Sequence, residues 1–125
     1  MGNISTNTDL TGQTAMVTGA SSGLGVRFAQ VLSAAGARVI ITARREKKLV
    51  ELEREIRKQG GEAHSFAFDV TDLDKLPAFF DTLREKNLMP NILVNNAGMN
   101  VVKPALDYTP DDYRQVLDTN LTAPF

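Results

Sequence analysis

Three glycines, Gly19, Gly23 and Gly25, follow the apolar run Ala15-Met16-Val17 at spacings of four and two, with Thr18, Ser21 and Ser22 among them. A helical pattern begins directly afterwards, so the segment reads as a strand, a tight turn and a helix N-terminus. Gly19 permits the turn off the strand, and Gly23 lets backbone N–H groups approach an anion without a Cβ in the way. Gly25 lets the helix lie close against the sheet. Free N–H groups and the positive end of the helix dipole then converge on one point, which suits a pyrophosphate. The competing reading is a bare strand-to-helix turn, and the flanking hydroxyls weigh against it. Gly19, Ser21, Ser22, Gly23, Leu24 and Gly25 are the candidate contacts of this turn.

About twenty residues past such a turn, a chain that binds NAD places an acid against the ribose 2′-OH. Here that position is Ala43, followed by Arg44 and Arg45. An acid would repel a 2′-phosphate, whereas a guanidinium grips one through charge-assisted hydrogen bonds. Arg44, with the Ser21 and Ser22 hydroxyls nearby, therefore points to NADP(H), with NAD as the alternative cofactor. The competing reading is that both arginines only solvate the next helix, and Arg45 stays unassigned.

These residues need elements to position them. Apolar runs predict strands at residues 14–18, 38–42, 63–68 and 91–96. Between them, the first helix places Phe28, Val31, Leu32 and Ala35 on one inward stripe, with Gly36 as its stop. A charged helix over 46–59 turns Leu49, Leu52 and Ile56 inward and ends at Gly60-Gly61. Thr71 caps a third helix reaching about Lys86, with Leu73, Leu76, Phe80 and Leu83 inward. Thr109-Pro110-Asp111-Asp112 opens a fourth, whose apolar face is Tyr113, Val116, Leu117 and Leu121. Strands alternating with helices imply a Rossmann-type three-layer α/β/α fold with a parallel sheet in the order 3-2-1-4. Residues 1–9 read as a flexible leader, and a loose myristoylation pattern over Met1–Thr6 adds little to that.

The bulk properties exclude more than they identify. The chain has 125 residues, 42% hydrophobic and 23% charged, with a net charge of −1, an ordinary balance for one globular domain. That charge gives no reason to expect nucleic acid or an anionic membrane as partner. With no cysteine there is no disulfide, thiolate metal site or thiol nucleophile. His64, the one histidine, lies in a predicted strand and reads as a packing residue. No metal-ligand spacing is present, and the cytoplasm is the default location.

The pattern T-G-x-x-x-G-x-G of Thr18 to Gly25 resembles the cofactor fingerprint of the short-chain dehydrogenase/reductase family. Asn95-Asn96-Ala97-Gly98 resembles that family's NNAG signature, and Asp118-Thr119-Asn120-Leu121 its D-x-N-L context. The resemblance implies that Asp69 accepts from the adenine amino group with Val70 beside it, and that Asn95, Ala97 and Gly98 contact cofactor. Asn96 braces neighbouring strands in this reading. Asn120, predicted to be a buried amide in need of partners, would join Ser, Tyr and Lys in a proton relay. The implied activity is hydride transfer between a nicotinamide and a carbonyl or alcohol substrate, in a homodimer or tetramer. The resemblance covers about 10–125, the first half of such a domain, and the family's Y-x-x-x-K is missing. Tyr108 is followed four residues on by Asp112, and Tyr113 by Leu117. The chain by itself is therefore expected to be inactive, and the alternative is a nucleotide-binding module without turnover. An unrelated Rossmann-like binder or methyltransferase would leave NNAG and Asn120 without a reason.

Overall fold

In the computed structural model, which describes residues 7–125, four short runs form parallel strands: β1 (Thr14–Thr18), β2 (Arg38–Ala43), β3 (Ala63–Ala67) and β4 (Ile92–Val94). Their spatial order is β3-β2-β1-β4, as the crossover pattern predicts. Met16 sits opposite Ile40 on one side and Leu93 on the other. β1 and β2 are covered on both faces, which is why they read as nearly continuous apolar runs.

Side chains alternate across the sheet and divide the core in two. Ala15, Val17, Val39 and Ile41 face α1 (Gly23–Ala34) and α2 (Glu46–Lys58), where Leu49, Leu52 and Ile56 are buried. Met16 and Ile40 face the other way, onto Leu83 of α3 (Leu76–Glu85) and Leu88. Helices on both faces make the predicted three-layer arrangement.

Three details of the prediction need correction. On α1, Phe28 and Val31 are each 36% exposed, and the residues buried against the sheet are Gly25, Ala29 and Gln30. A Cβ on Gly25 would lie 2.3 Å from the Gly19 carbonyl oxygen, so the helix is rotated to bring its smallest residue onto the turn. Apolar residues occupy most of this helix, so periodicity alone does not fix which of them meet the sheet. Secondly, Thr71 does not cap α3. Its hydroxyl donates to Asp69, a short 3₁₀ turn (Leu73–Lys75) leaves Leu73 exposed, and the α-helix starts beside Pro77, where a missing N–H costs nothing. Thirdly, β4 is shorter than predicted, because the Asn91 side chain replaces a ladder bond by accepting from the Thr14 N–H at 2.8 Å.

α4 (Pro110–Leu117) begins at the predicted Thr109 cap, and Asp112 completes a capping box there, each of the two side chains accepting from the other's backbone N–H. A π-helical turn (Asp118–Thr122) follows. Tyr113 and Leu121 are about two-thirds exposed, and Asn120 is exposed rather than buried. The predicted apolar face has no cover there among the described residues. The leader's residues 1–6, with the myristoylation pattern, lie outside the described residues. Asp9 already accepts from the N–H and hydroxyl of Thr11 in an ordered turn.

Among the described residues β4 pairs only with β1, and Leu93 at this edge is 50% exposed. Unpaired backbone next to apolar side chains invites strand addition. The 125-residue chain is expected to self-associate, and Leu93→Lys to reduce it. Light scattering that rises with concentration for the parent chain and less for the variant is the expected outcome.

Candidate functional site

A cleft of about 750 Å³ opens beyond the carboxyl ends of the four strands. This is where an open parallel sheet places its ligands, since successive connections diverge to opposite faces at the point where strand order reverses. Each connection contributes to its wall: Gly19, Ser21 and Ser22 after β1; Ala43, Arg44 and Arg45 after β2; Phe68, Asp69, Val70 and Thr71 after β3; Asn96, Ala97, Gly98 and Met99 after β4. Gln115, Asp118 and Thr119 close the side nearest α4.

Two side chains lock the first and last connections together. The Thr18 hydroxyl accepts from the N–H groups of Asn96 and Ala97 at 3.1 and 2.9 Å and donates to the Val94 carbonyl. The Asn96 amide donates in return to the carbonyls of Thr18 and Gly19, at 3.1 and 3.2 Å. The two turns lie so close that a Cβ on Gly19 would come within 2.8 Å of the Ala97 Cα. At Gly23 the constraint is conformational: φ is +60° with nothing within 4 Å of a would-be Cβ, open space at the mouth of α1.

Ser22 holds the N-cap position of α1 in an extended conformation, yet its hydroxyl makes no cap bond to that helix. Instead Ser21 and Ser22 both accept from Nη2 of Arg45, at 3.1 and 3.3 Å. Neither Arg44 nor Arg45 has an ion-pair partner among the described residues, and both are exposed. Asp69 Oδ1 accepts from the hydroxyl and N–H of Thr71, at 2.7 and 2.9 Å. Those bonds hold its carboxyl below the ordinary value of 3.8, with the Arg44 charge adding to the effect.

The cleft therefore gathers Gly19, Ser21, Ser22, Arg44, Asp69, Val70, Ala97 and Gly98 from the predicted set. Gly23, Leu24 and Gly25 shape the turn behind it without lining it, and Leu24 is 68% exposed. Asn95 lines an adjoining apolar cavity of about 220 Å³ that shares Phe68, Val70, Ala97 and Thr119 with the cleft, while its neighbour Asn96, given only a bracing role, braces and also lines the cleft itself. Asn120 stands beside the floor, its amide donating to the Met99 carbonyl and accepting from the Met99 N–H, at 2.9 and 2.8 Å. These are the partners its side chain requires. It also sits on the π-helical turn, a distortion that recurs at functional sites. Sequence reasoning left Arg45 and Thr71 without roles here. The Asp69-x-Thr71 spacing is a readable Asx turn, and an arginine at a helix N-cap is a readable anomaly.

The chain is similar to known proteins over nearly its whole length. The family described as "short chain dehydrogenase" matches residues 13–125. A tropinone reductase homolog of Arabidopsis thaliana is 39% identical over 117 residues, which are 93% of this chain and 44% of that protein. A metagenomic short-chain oxidoreductase solved in complex with NADP is 41% identical with a TM-score of 0.85, over 92% of this chain and 52% of that one. A gluconate 5-dehydrogenase from Burkholderia cenocepacia, in complex with NADP and tartrate, is 34% identical with a TM-score of 0.84, over 92% and 45% respectively. The chain spans about half the length of these proteins.

Asn96→Ala removes both strand-bracing donors and leaves two part-buried carbonyls unpaired, so a loss of about 1–3 kcal/mol is expected in urea unfolding. The depressed Asp69 carboxyl stabilises the fold above its unfolded value and ceases to do so as pH falls through the lower, folded value. In Thr71→Val the Asp69 titration followed by NMR is expected to move up toward the ordinary value, with less acid-range loss of stability.

Proposed function

The chain belongs to the short-chain dehydrogenase family, and we propose that it forms the cofactor-holding part of an NADP(H)-dependent oxidoreductase. One observation carries this reading. Ala43 occupies the end of β2 where an acid would exclude a 2′-phosphate, and two guanidiniums that form no ion pair among the described residues stand directly after it.

The residues present suit the whole nucleotide. The α1 N-terminus, free of a side-chain cap and open at Gly23, takes the pyrophosphate. Arg44, Ser21 and Ser22 take the 2′-phosphate. Asp69 has one carboxylate oxygen engaged by Thr71, and the other accepts from the adenine amino group beside Val70. Ala97 and Gly98, with no bulk beyond a methyl group, let the nicotinamide ribose lie against backbone. Asn95 approaches from the adjoining cavity. When bound, the nicotinamide gives or takes the hydride that interconverts a carbonyl and an alcohol. Asn120 fixes Met99 next to the reacting end and, in the whole enzyme, joins the proton relay. The Ser, Tyr and Lys of that relay have no counterpart among these 125 residues, so the chain by itself binds cofactor without turning over. Assembly into homo-oligomers and a cytoplasmic location belong to the same proposal.

Calorimetric titration of the chain with NADPH and NADH tests it. NADPH is expected to bind about tenfold or more tightly than NADH, the worth of one charge-assisted contact. Ala43→Asp is expected to weaken NADPH and bring the two affinities together. Equal affinities for the parent chain, or no binding of either, would refute the assignment.

A further inference from the structure

Away from the cleft, the two edges of the sheet are finished differently. β3 is one edge strand and β4 the other among the described residues. In a parallel ladder, alternate residues turn their N–H and C=O toward the same neighbour. The Glu62 carbonyl accepts from the Val39 N–H, and the Phe68 N–H donates to the Ala43 carbonyl, so the even-numbered residues of this stretch serve β2. The odd-numbered ones, Ala63, Ser65 and Ala67, face outward, where an unpaired edge invites a further strand.

Two side chains of α2 occupy that edge. Arg57 donates to the Ala63 carbonyl from Nε and Nη2, at 3.1 and 2.8 Å. One carboxylate oxygen of Glu53 accepts from the Ser65 N–H at 2.9 Å and also from its hydroxyl. The other pairs with Arg57 at 3.0 Å. A residue of an added parallel strand would donate to the first of these backbone groups and accept from the second, since it bridges positions two apart. One ion pair thus stands where one residue of a fifth strand would lie. Fastening α2 does not require it, because Leu49, Leu52 and Ile56 already bury that helix against the sheet. At the other edge, Ile92-Leu93-Val94 carries no charge and Leu93 is half exposed.

We propose that the Glu53–Arg57 pair is an autoinhibitory plug that keeps the β3 edge from accepting the open β4 edge of a second copy of this chain. All four strands are parallel, so β4 of one copy laid against β3 of the next continues the sheet in the same sense. Such a contact joins two different surfaces and leaves both outer edges free, so it repeats without closing. With β3 plugged, the remaining edge contact is β4 against β4, which uses the same surface on both copies and closes at a pair.

Sedimentation velocity of the 125-residue chain over a concentration series, with thermal melting as the check on folding, tests this. The parent is expected to level off at the mass of a pair. The double variant Glu53→Ala/Arg57→Ala is expected to rise several-fold past the pair and keep growing, with its cooperative melt retained. Glu53→Gln, which keeps an acceptor for Ser65, should stay at the parent limit. Leu93→Lys added to the double variant obstructs the other half of the contact and should return its mass to the parent level or below. A folded double variant that stops at the pair overturns the proposal. Growth that Leu93→Lys leaves untouched overturns it as well, since it marks aggregation that does not use the β4 edge. A parent chain that itself grows without limit shows the β3 edge to be open and has the same consequence. Should the double variant fail to fold, Glu53→Ala alone, which frees the Ser65 N–H, is read by the same criteria.

Discussion

The Thr18 hydroxyl, at the last position of β1, receives two backbone N–H groups from the connection after β4. β4 is only three residues long and pairs with β1 alone among the described residues, so its own ladder cannot fix where the chain goes next. The hydroxyl and the Asn96 amide supply that direction. They bring Ala97 to within touching distance of Gly19 and align the Gly-rich turn with the floor of the cleft. An apolar residue at position 18 would strand two part-buried N–H groups, each worth on the order of 1–3 kcal/mol unpaired. The Gly-rich turn after β1 and the connection after β4 are thus set relative to each other by one pair of side chains.

Around this lock, the cleft is built from groups that a stability-optimised chain would have neutralised. The start of α1 lacks a side-chain cap, the start of α2 carries a cation, and two guanidiniums form no ion pair among the described residues. Contrast the opposite treatment of α4, which begins with a full capping box and a Lys103–Asp112 ion pair at 2.7 Å. Arg44 and Arg45 thus stand beside the open N-terminus of α1 at the carboxyl end of the sheet, an arrangement that favours an anion there. Asp69 is the acid within this region, and its charge is held in place by Thr71.

Much of the architecture was legible because single-residue chemistry is local. The glycine spacing, the βαβ alternation and the Thr109 cap depend on residues a few positions apart, and the sheet order follows from the handedness of crossovers. Within the site, Gly19, Ser21, Ser22, Arg44, Asp69 and Ala97 fall where strand ends were expected, since those ends are fixed by the apolar runs. Phe28 and Val31 were misread because helix rotation depends on where a partner approaches, and that was decided by the steric fit of Gly25 under Gly19. Asn95 and Asn96 could not be told apart in full, because adjacent residues leaving a strand point to opposite sides and the exit direction is a tertiary matter.

What the sequence by itself determined was the order of elements, the parallel sheet and the identity of the connections that form the site, all consequences of periodicity and turn chemistry. Only the tertiary structure decided which donors meet across those connections. Arg45 reaches Ser21 and Ser22, Thr18 reaches Asn96 and Ala97, and Asn120 reaches Met99, pairs separated by 21 to 79 positions. Hydrogen bonds act over about 3 Å and depend on direction. Which pairs achieve that geometry is set by how helices and strands pack, information that no local stretch of the chain contains.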